Sequence, residues 1–199
     1  MVSITTDDFG YSHKANTEII KLAKNGKIDR ISLLVNFPKA GEAVGLYNQK
    51  HLAKKVPIGL HFNMIEGKNF DPLPIFLLKI LFKKITKVQI QQELELQIKA
   101  FKKLGFYLEH LNSHQNIHLF APIDEIFYEI AKKHKIKFIR SKNSVIRRLK
   151  QFPLKLISFY LYSFLNKLVY HSRNPFNKTF PTIEEIIIHP GTNFDKKPI

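Results

Sequence analysis

Apolar and polar positions along this chain switch between two periods, and the switching predicts strand and helix in turn. Residues 2–6 form a short β-prone run. From about Lys14 to Asn25 the apolar residues Ile19, Ile20, Leu22 and Ala23 gather on one helical face, with Gly26 as a stop. Residues 31–37 (ISLLVNF) read as an apolar strand, followed by a helix over about 40–54 and a strand over 57–62 (PIGLHF). A stretch rich in Pro and Phe then runs to about Lys84 without a regular period. A long helix is predicted over 88–104, ending at Gly105, then strand over 108–112, helix over 123–133, and strands over 136–139 and 183–188. Strand and helix in alternation imply parallel pairing with helices outside. Near-continuous apolar strands such as SLLV and EIIIH suit a sheet covered on both faces. The expected class is α/β, a barrel or a doubly wound sheet.

Length and composition sharpen this picture. The 199 residues predict one domain over 1–199, since chains usually divide only above roughly 250 residues. With 44% hydrophobic and 24% charged residues the chain has the balance of a folded protein, which excludes disorder. There is no cysteine, so disulfides and thiolate zinc sites are excluded, and imidazole and carboxylate are the strong metal ligands that remain. MVSITTDDFG lacks a basic region followed by a long apolar run, and a cytoplasmic chain is expected. The formal charge of +16 invites a nucleic-acid or anionic-membrane partner. Its lysines are scattered through helices, however, and the basic stretch over 132–150 carries no recognition-helix or stacking signature. A solvated basic surface with no specific nucleic-acid partner is the expectation.

Polar residues stand where the predicted strands end. Asp7 and Asp8 follow the first, His61 closes the third, His114 and His118 follow the next, and His189 closes the last. Barrel enzymes gather their chemistry at the carboxyl ends of parallel strands, so these distant residues are candidates to converge on one mouth. Each has a structural alternative. An acidic pair after a strand is often a turn and helix cap, a lone histidine is often a hydrogen-bonded core residue, and His189 before Pro190 and Gly191 also suits a strand-closing turn. Arg140 closes the strand KFIR, as a substrate contact or a buried ion pair. Asn36 lines the mouth or bonds a loop, and Phe9 and Gly10 shape the loop after the acids. His110 is read as structural, and His13, His51, His134 and His171 as surface residues.

In that order TDDFG at 6–10, GLHFN around His61, SHQNIH around His114 and His118, and IIIHPG around His189 resemble the YdjC-like carbohydrate deacetylases, which include the chitooligosaccharide deacetylases. The resemblance runs from the first strand to Gly191. It implies a distorted (β/α) barrel of parallel strands, similar to polysaccharide deacetylases, one divalent metal ion (Mg or Zn, with Co or Ni as further candidates), and removal of an acetyl group from an N-acetylated sugar. Carried over by residue, it makes Asp8, His61 and His114 the metal ligands, Asp7 the general base and His189 the general acid on the opposite side of the reacting carbon. From the residues themselves, His118 is read as a pocket group beside the ligands, with the ligand role of His114 as its alternative, and Asn36 and Arg140 as candidates to contact the substrate. The chain departs from the pattern at Asn112, where relatives commonly have an acid, and at Asn116, where they have a histidine. It also ends soon after His189, which implies a C-terminally shortened barrel or one completed by a partner chain.

Residues 152–170 (FPLKLISFYLYSFLNKLVY) are aromatic and apolar but interrupted by Lys155, Asn166 and Lys167, a poor membrane-spanning pattern. They read as core, lid or homodimer face. With Arg147, Arg148 and Lys150 beside them, 147–170 is also a candidate for weak contact with an anionic membrane surface. Two functions of other classes remain open: an oxygenase using two histidines and one carboxylate as a facial triad, and a basic nucleic-acid- or membrane-binding protein with a decayed site.

Overall fold

The computed structural model describes residues 2–150, 160–161 and 181–191. Its seven strands are β1 (Ser3–Phe9), β2 (Arg30–Leu33), β3 (Ile58–Phe62), β4 (His110–Ser113), β5 (Phe138–Arg140), β6 (Thr182–Ile183) and β7 (Glu185–Ile188). They form one sheet in the order β6-β5-β4-β3-β2-β1-β7, and every neighbouring pair is parallel. The two edge strands are separated in sequence by Glu184 alone, so one passage of chain pairs with β5 on one side and β1 on the other. The sheet therefore curls onto itself. Arg140 of β5 reaches Asp7 of β1 at 2.6 Å, which places opposite ends of the strand order side by side. This is the distorted α/β barrel that the motifs imply.

The helices are α1 (His13–Lys24), α2 (Ala40–Gln49), α3 (Leu73–Leu81), α4 (Lys87–Lys103), α5 (Ile123–Lys133) and α6 (Lys142–Leu149). Local signals start two of them. Ser12 accepts the Ala15 amide at the head of α1, and Thr86 with Gln89 forms a reciprocal capping box at the head of α4. Ile19, Ile98, Phe101 and Phe127 from the helices join Ile31, Leu33, Leu60, Leu111 and Ile139 from the strands in one buried apolar cluster. Burial of this kind contributes roughly 1.5–3 kcal/mol per large side chain.

The strands alternate, and their other face is polar. Ser32 of β2 bonds across the barrel to Asn112 of β4 at 2.8 Å, and Arg30 of β2 donates to Ser3 of β1. His110 of β4 lies over Gly59 of β3, where any Cβ would stand 2.4 Å from the imidazole, so only glycine fits beneath that ring. The barrel thus keeps its apolar core outside, under the helices, and fills its interior with groups that must satisfy one another.

Three elements differ from expectation. The strand predicted over 31–37 stops at Leu33, because the Leu34 amide turns to the Phe9 carbonyl at 2.8 Å and the chain leaves the sheet before Pro38. The aperiodic stretch before Lys84 contains α3, which begins at Pro72 without a side-chain cap and is apolar nearly all round, so no period marks it. The basic run before Lys150 contains α6. Most of 147–170 lies outside the described residues. Among those described, no helix is long and apolar enough to cross a membrane.

Candidate active site

Successive residues of a strand point to opposite faces, so adjacent acids ought not to share a site. Between Thr6 and Phe9 the register of β1 against β2 slips by one residue, and within that bulge Asp8 adopts a left-handed φ of 64°. The extra residue brings Asp8 to the carboxyl-end mouth beside Asp7. Gly10, at φ 95°, completes the exit, and a Cβ there would meet the Leu34 carbonyl oxygen at 2.8 Å.

At the mouth Asp8 Oδ1 faces two imidazoles. It lies 3.4 Å from His61 Nε2 and 3.0 Å from His114 Nδ1. The other nitrogen of His61 is 2.7 Å from Asn112 Oδ1, which makes Nδ1 the donor to Asn112 and turns Nε2 toward Asp8. Asn112 then donates its own amide to Asp7 Oδ1 at 3.3 Å and to Ser32. An asparagine serves this point because it both accepts from His61 and donates to Asp7, which an ionised acid cannot do.

Asp7 is clamped by Arg140, Nη1 to Oδ2 at 2.6 Å and Nη2 to Oδ1 at 2.7 Å. The same guanidinium donates to Glu185 from Nε and Nη2 and to Asn116 from Nη1. All five of its N–H groups are thereby engaged within the protein. Arg140 is thus a buried ion pair that holds the acid, with no donor left for a substrate. Asn116, at a left-handed φ of 58°, takes part in the same cluster. His189 is partly exposed, its Nε2 3.7 Å from Asp7 Oδ2.

The remaining candidates spread out from this centre. His118 is fully buried, with Nδ1 2.6 Å from Ser113 Oγ and its ring stacked on Phe127 at 5.4 Å. Asn36 is exposed near the mouth and donates to the Asn63 carbonyl at 3.1 Å. His110 is buried beside Ser32. Sequence reading passed over Tyr11, Phe37, Glu66 and Glu185. Tyr11 and Phe37 stack at 5.2 Å next to the His114 ring, and Glu66 reaches His114 Nε2 at 2.8 Å. Of these only Glu185 left a signal, an acid within the apolar run EIIIH.

The electrostatics follow from these contacts. Burial pushes the Asp7 carboxyl up, but the Arg140 cation and then His61 reverse this and hold it well below the usual carboxylate range. Burial also raises Asp8, and its contacts with the His114 and His61 rings bring it well below its ordinary value of 3.8. For His114 burial favours the neutral ring, and the opposing bonds to Asp8 and Glu66 lift it to about 9.

Among the described residues Asp8, His61 and His114 form a group whose ligand atoms all lie within 4.8 Å of one another, and all three are buried. Donors bound to one ion at about 2.0–2.2 Å stand roughly 3.0–3.5 Å apart. The 3.0 and 3.4 Å separations here match that spacing, and His61, held at Nδ1 by Asn112, turns its Nε2 toward the acid. The donor set therefore fits a divalent ion.

Two histidines away from this triad set an acid limit on stability. Burial, reinforced by nearby arginine, pushes His110 and His118 down to about 3 from an ordinary 6.5. Below pH 6.5 the unfolded chain binds protons that the folded chain refuses, so their stabilising contribution is complete above 6.5 and is lost as pH falls toward 3. At pH 4.5 the two together are expected to cost about 5 kcal/mol, from ~1.4 kcal/mol per pH unit for each. Urea denaturation at pH 7.5, 5.5 and 4.5 checks this, with His118→Gln expected to halve the slope. A stability flat between 7.5 and 4.5 would contradict it.

A family model described as YdjC-like protein matches residues 1–198. The carbohydrate deacetylase of Mus musculus is 29% identical over 155 residues, covering 69% of this chain and 49% of that protein. The carbohydrate deacetylase of Vibrio cholerae serotype O1 is 31% identical over 148 residues, 68% of this chain and 56% of that protein. The chain thus spans about half the length of the curated relatives it matches. A solved structure from Enterococcus faecalis V583, named for cellobiose-phosphate cleavage, superposes with a TM-score of 0.62 at 23% identity, covering 70% of this chain and 58% of that one. That likeness shows a shared fold.

Proposed function

The chain belongs to the YdjC-like family, and on that premise we propose that it is a metal-dependent carbohydrate deacetylase, a hydrolase that removes the N-acetyl group of an N-acetylated sugar or oligosaccharide, with 1–199 as its catalytic unit. The observation that carries this reading is the meeting of Asp8, His61 and His114, from three separate parts of the chain, beside a second acid that is not one of the three. The name shared by the relatives supports it.

A divalent ion held by Asp8, His61 and His114 would supply Lewis acidity to a water molecule and to the amide carbonyl. Amide hydrolysis also needs a proton removed from water as its oxygen attacks the carbonyl carbon, and a proton delivered to nitrogen as the C–N bond breaks, since an unprotonated amine leaves poorly. Asp7 takes the first proton. The Arg140 clamp keeps its carboxylate ionised and immobile throughout the neutral range, so this base does not switch off under mild acid. His189, partly exposed and neighbouring Asp7, gives the second proton. Acetate and a free amino sugar result.

The rings of Tyr11 and Phe37 wall the mouth, and Asn36 stands exposed beside it, an apolar surface next to a polar one of the kind a sugar ring requires. Arg140 acts on the site from within the barrel through Asp7, and His118 acts from beside Phe127 through Ser113.

The test is acetate release from N-acetylated chito-oligosaccharides by chelator-treated protein, alone and with Mg, Zn, Co or Ni restored. Acetate is expected only with an ion present. No acetate with any of the four ions would overturn the proposal, and equal release without an ion would overturn its metal dependence.

A further inference from the structure

Resting on the metal reading above, we infer that Glu66 is the positioning residue that sets His114 as a ligand, by accepting a hydrogen bond from its Nε2–H so that Nδ1 faces Asp8 and His61. The evidence begins with the two ends of one ring. His114 Nδ1 is 3.0 Å from Asp8 Oδ1 and its Nε2 is 2.8 Å from Glu66 Oε2. Each nitrogen faces a carboxylate, but a cation shared with Asp8 takes the place of the proton on the Nδ1 side, so the single proton of the neutral ring stays at Nε2. A carboxylate at Nε2 holds the proton there and frees the Nδ1 lone pair for a cation shared with Asp8 and His61.

His61 is set differently, by Asn112 through Nδ1. The two rings therefore turn opposite nitrogens to one point: His61 presents Nε2 and His114 presents Nδ1, and each is held from behind by its own oxygen acceptor.

The loop that carries Glu66 is constructed to keep it there. The Asn63 side chain accepts the amides of Ile65 at 3.2 Å and Glu66 at 3.1 Å, and donates to the Glu66 carbonyl at 2.7 Å. Asn63 is in turn held by Gln97 of α4, which accepts the Asn63 amide at 3.1 Å and donates to its carbonyl at 2.6 Å. The carboxylate is also gripped at its other oxygen, where the Tyr11 hydroxyl donates to Oε1 at 2.8 Å. Glu66 is thus oriented by three elements before it meets His114, which is the rigid support that ligand geometry demands. It also couples the aromatic wall of the mouth to the ligand, since Tyr11 and His114 share one carboxylate.

The experiment measures Zn affinity by competition with a chromophoric chelator, for the wild-type chain, His61→Ala, Glu66→Ala, Glu66→Gln and Tyr11→Phe, with thermal unfolding of each as a check on folding. Glu66→Ala is expected to weaken Zn binding about 10–100-fold, Glu66→Gln less, and Tyr11→Phe by a small factor, while His61→Ala loses far more. In the Zn-loaded protein, nitrogen NMR of His114 is expected to show a protonated Nε2, and Glu66→Ala to blur that single tautomer. Glu66→Ala binding Zn as tightly as wild type, with wild type binding and His61→Ala not, overturns the role of Glu66 alone. A loss equal to that of His61→Ala makes Glu66 a ligand and overturns it as well. A wild-type chain that takes up no ion overturns the metal reading and this inference together.

Discussion

Asp7→Asn is expected to slow acetate release ~10²–10⁴-fold while leaving the affinity for a divalent ion close to wild type. The two adjacent acids divide their duties by where the bulge places them. Asp8 faces His61 Nε2 and His114 Nδ1, whereas Asp7 is bound through both oxygens to Arg140 and stands 3.7 Å from His189. An asparagine at position 7 keeps the shape and much of the hydrogen bonding, but it has no basic lone pair to receive a proton from water. Asp8→Asn is the control, expected to lose ion binding and activity together. The measurement is the rate of acetate release beside the chelator competition. An Asp7→Asn chain that deacetylates at the wild-type rate would remove Asp7 from the chemistry.

Arg140→Met is expected to destabilise the fold by about 3–5 kcal/mol, because it leaves two carboxylates buried without their cation. Asp7 and Glu185 are each less than a tenth exposed, and Arg140 satisfies both with charge-assisted bonds from one guanidinium. A loss of that size is a large share of the 5–15 kcal/mol that typical domains possess. It is also mechanical, since Arg140 on β5 and Glu185 on β7 join with Asp7 on β1 across the seam where the barrel closes. Adding Glu185→Gln to Arg140→Met is expected to recover part of the stability by removing one of the two stranded charges. Urea denaturation followed by circular dichroism decides it, and a cost below about 1 kcal/mol would show that solvent reaches these carboxylates.

The alternation of blocks made the α/β barrel readable, because a strand sheathed by helices must be apolar on its outward face, and SLLV, GLHF and EIIIH are. Asp7, Asp8, His61, His114 and His189 were readable as candidates because strand ends are where a barrel displays its chemistry. Helix α3 was not, since an apolar surface nearly all round has no period. Glu66 was not either: it sits in a loop whose course depends on Asn63 and Gln97, thirty-four residues apart. The role of Arg140 was open between substrate contact and ion pair, and only the approach of β5 to β1 decided for the pair.

Local order thus wrote down which stretches become strand, which become helix, and which polar residues end up at strand tips, because these depend on patterns within a few neighbours. Which of those tips touch was decided by closure of the sheet through residues 182–188 and by one extra residue in β1 that turns Asp8 into the mouth. Distances between groups more than fifty positions apart are set by strand register and curvature, and no short window of residues contains either.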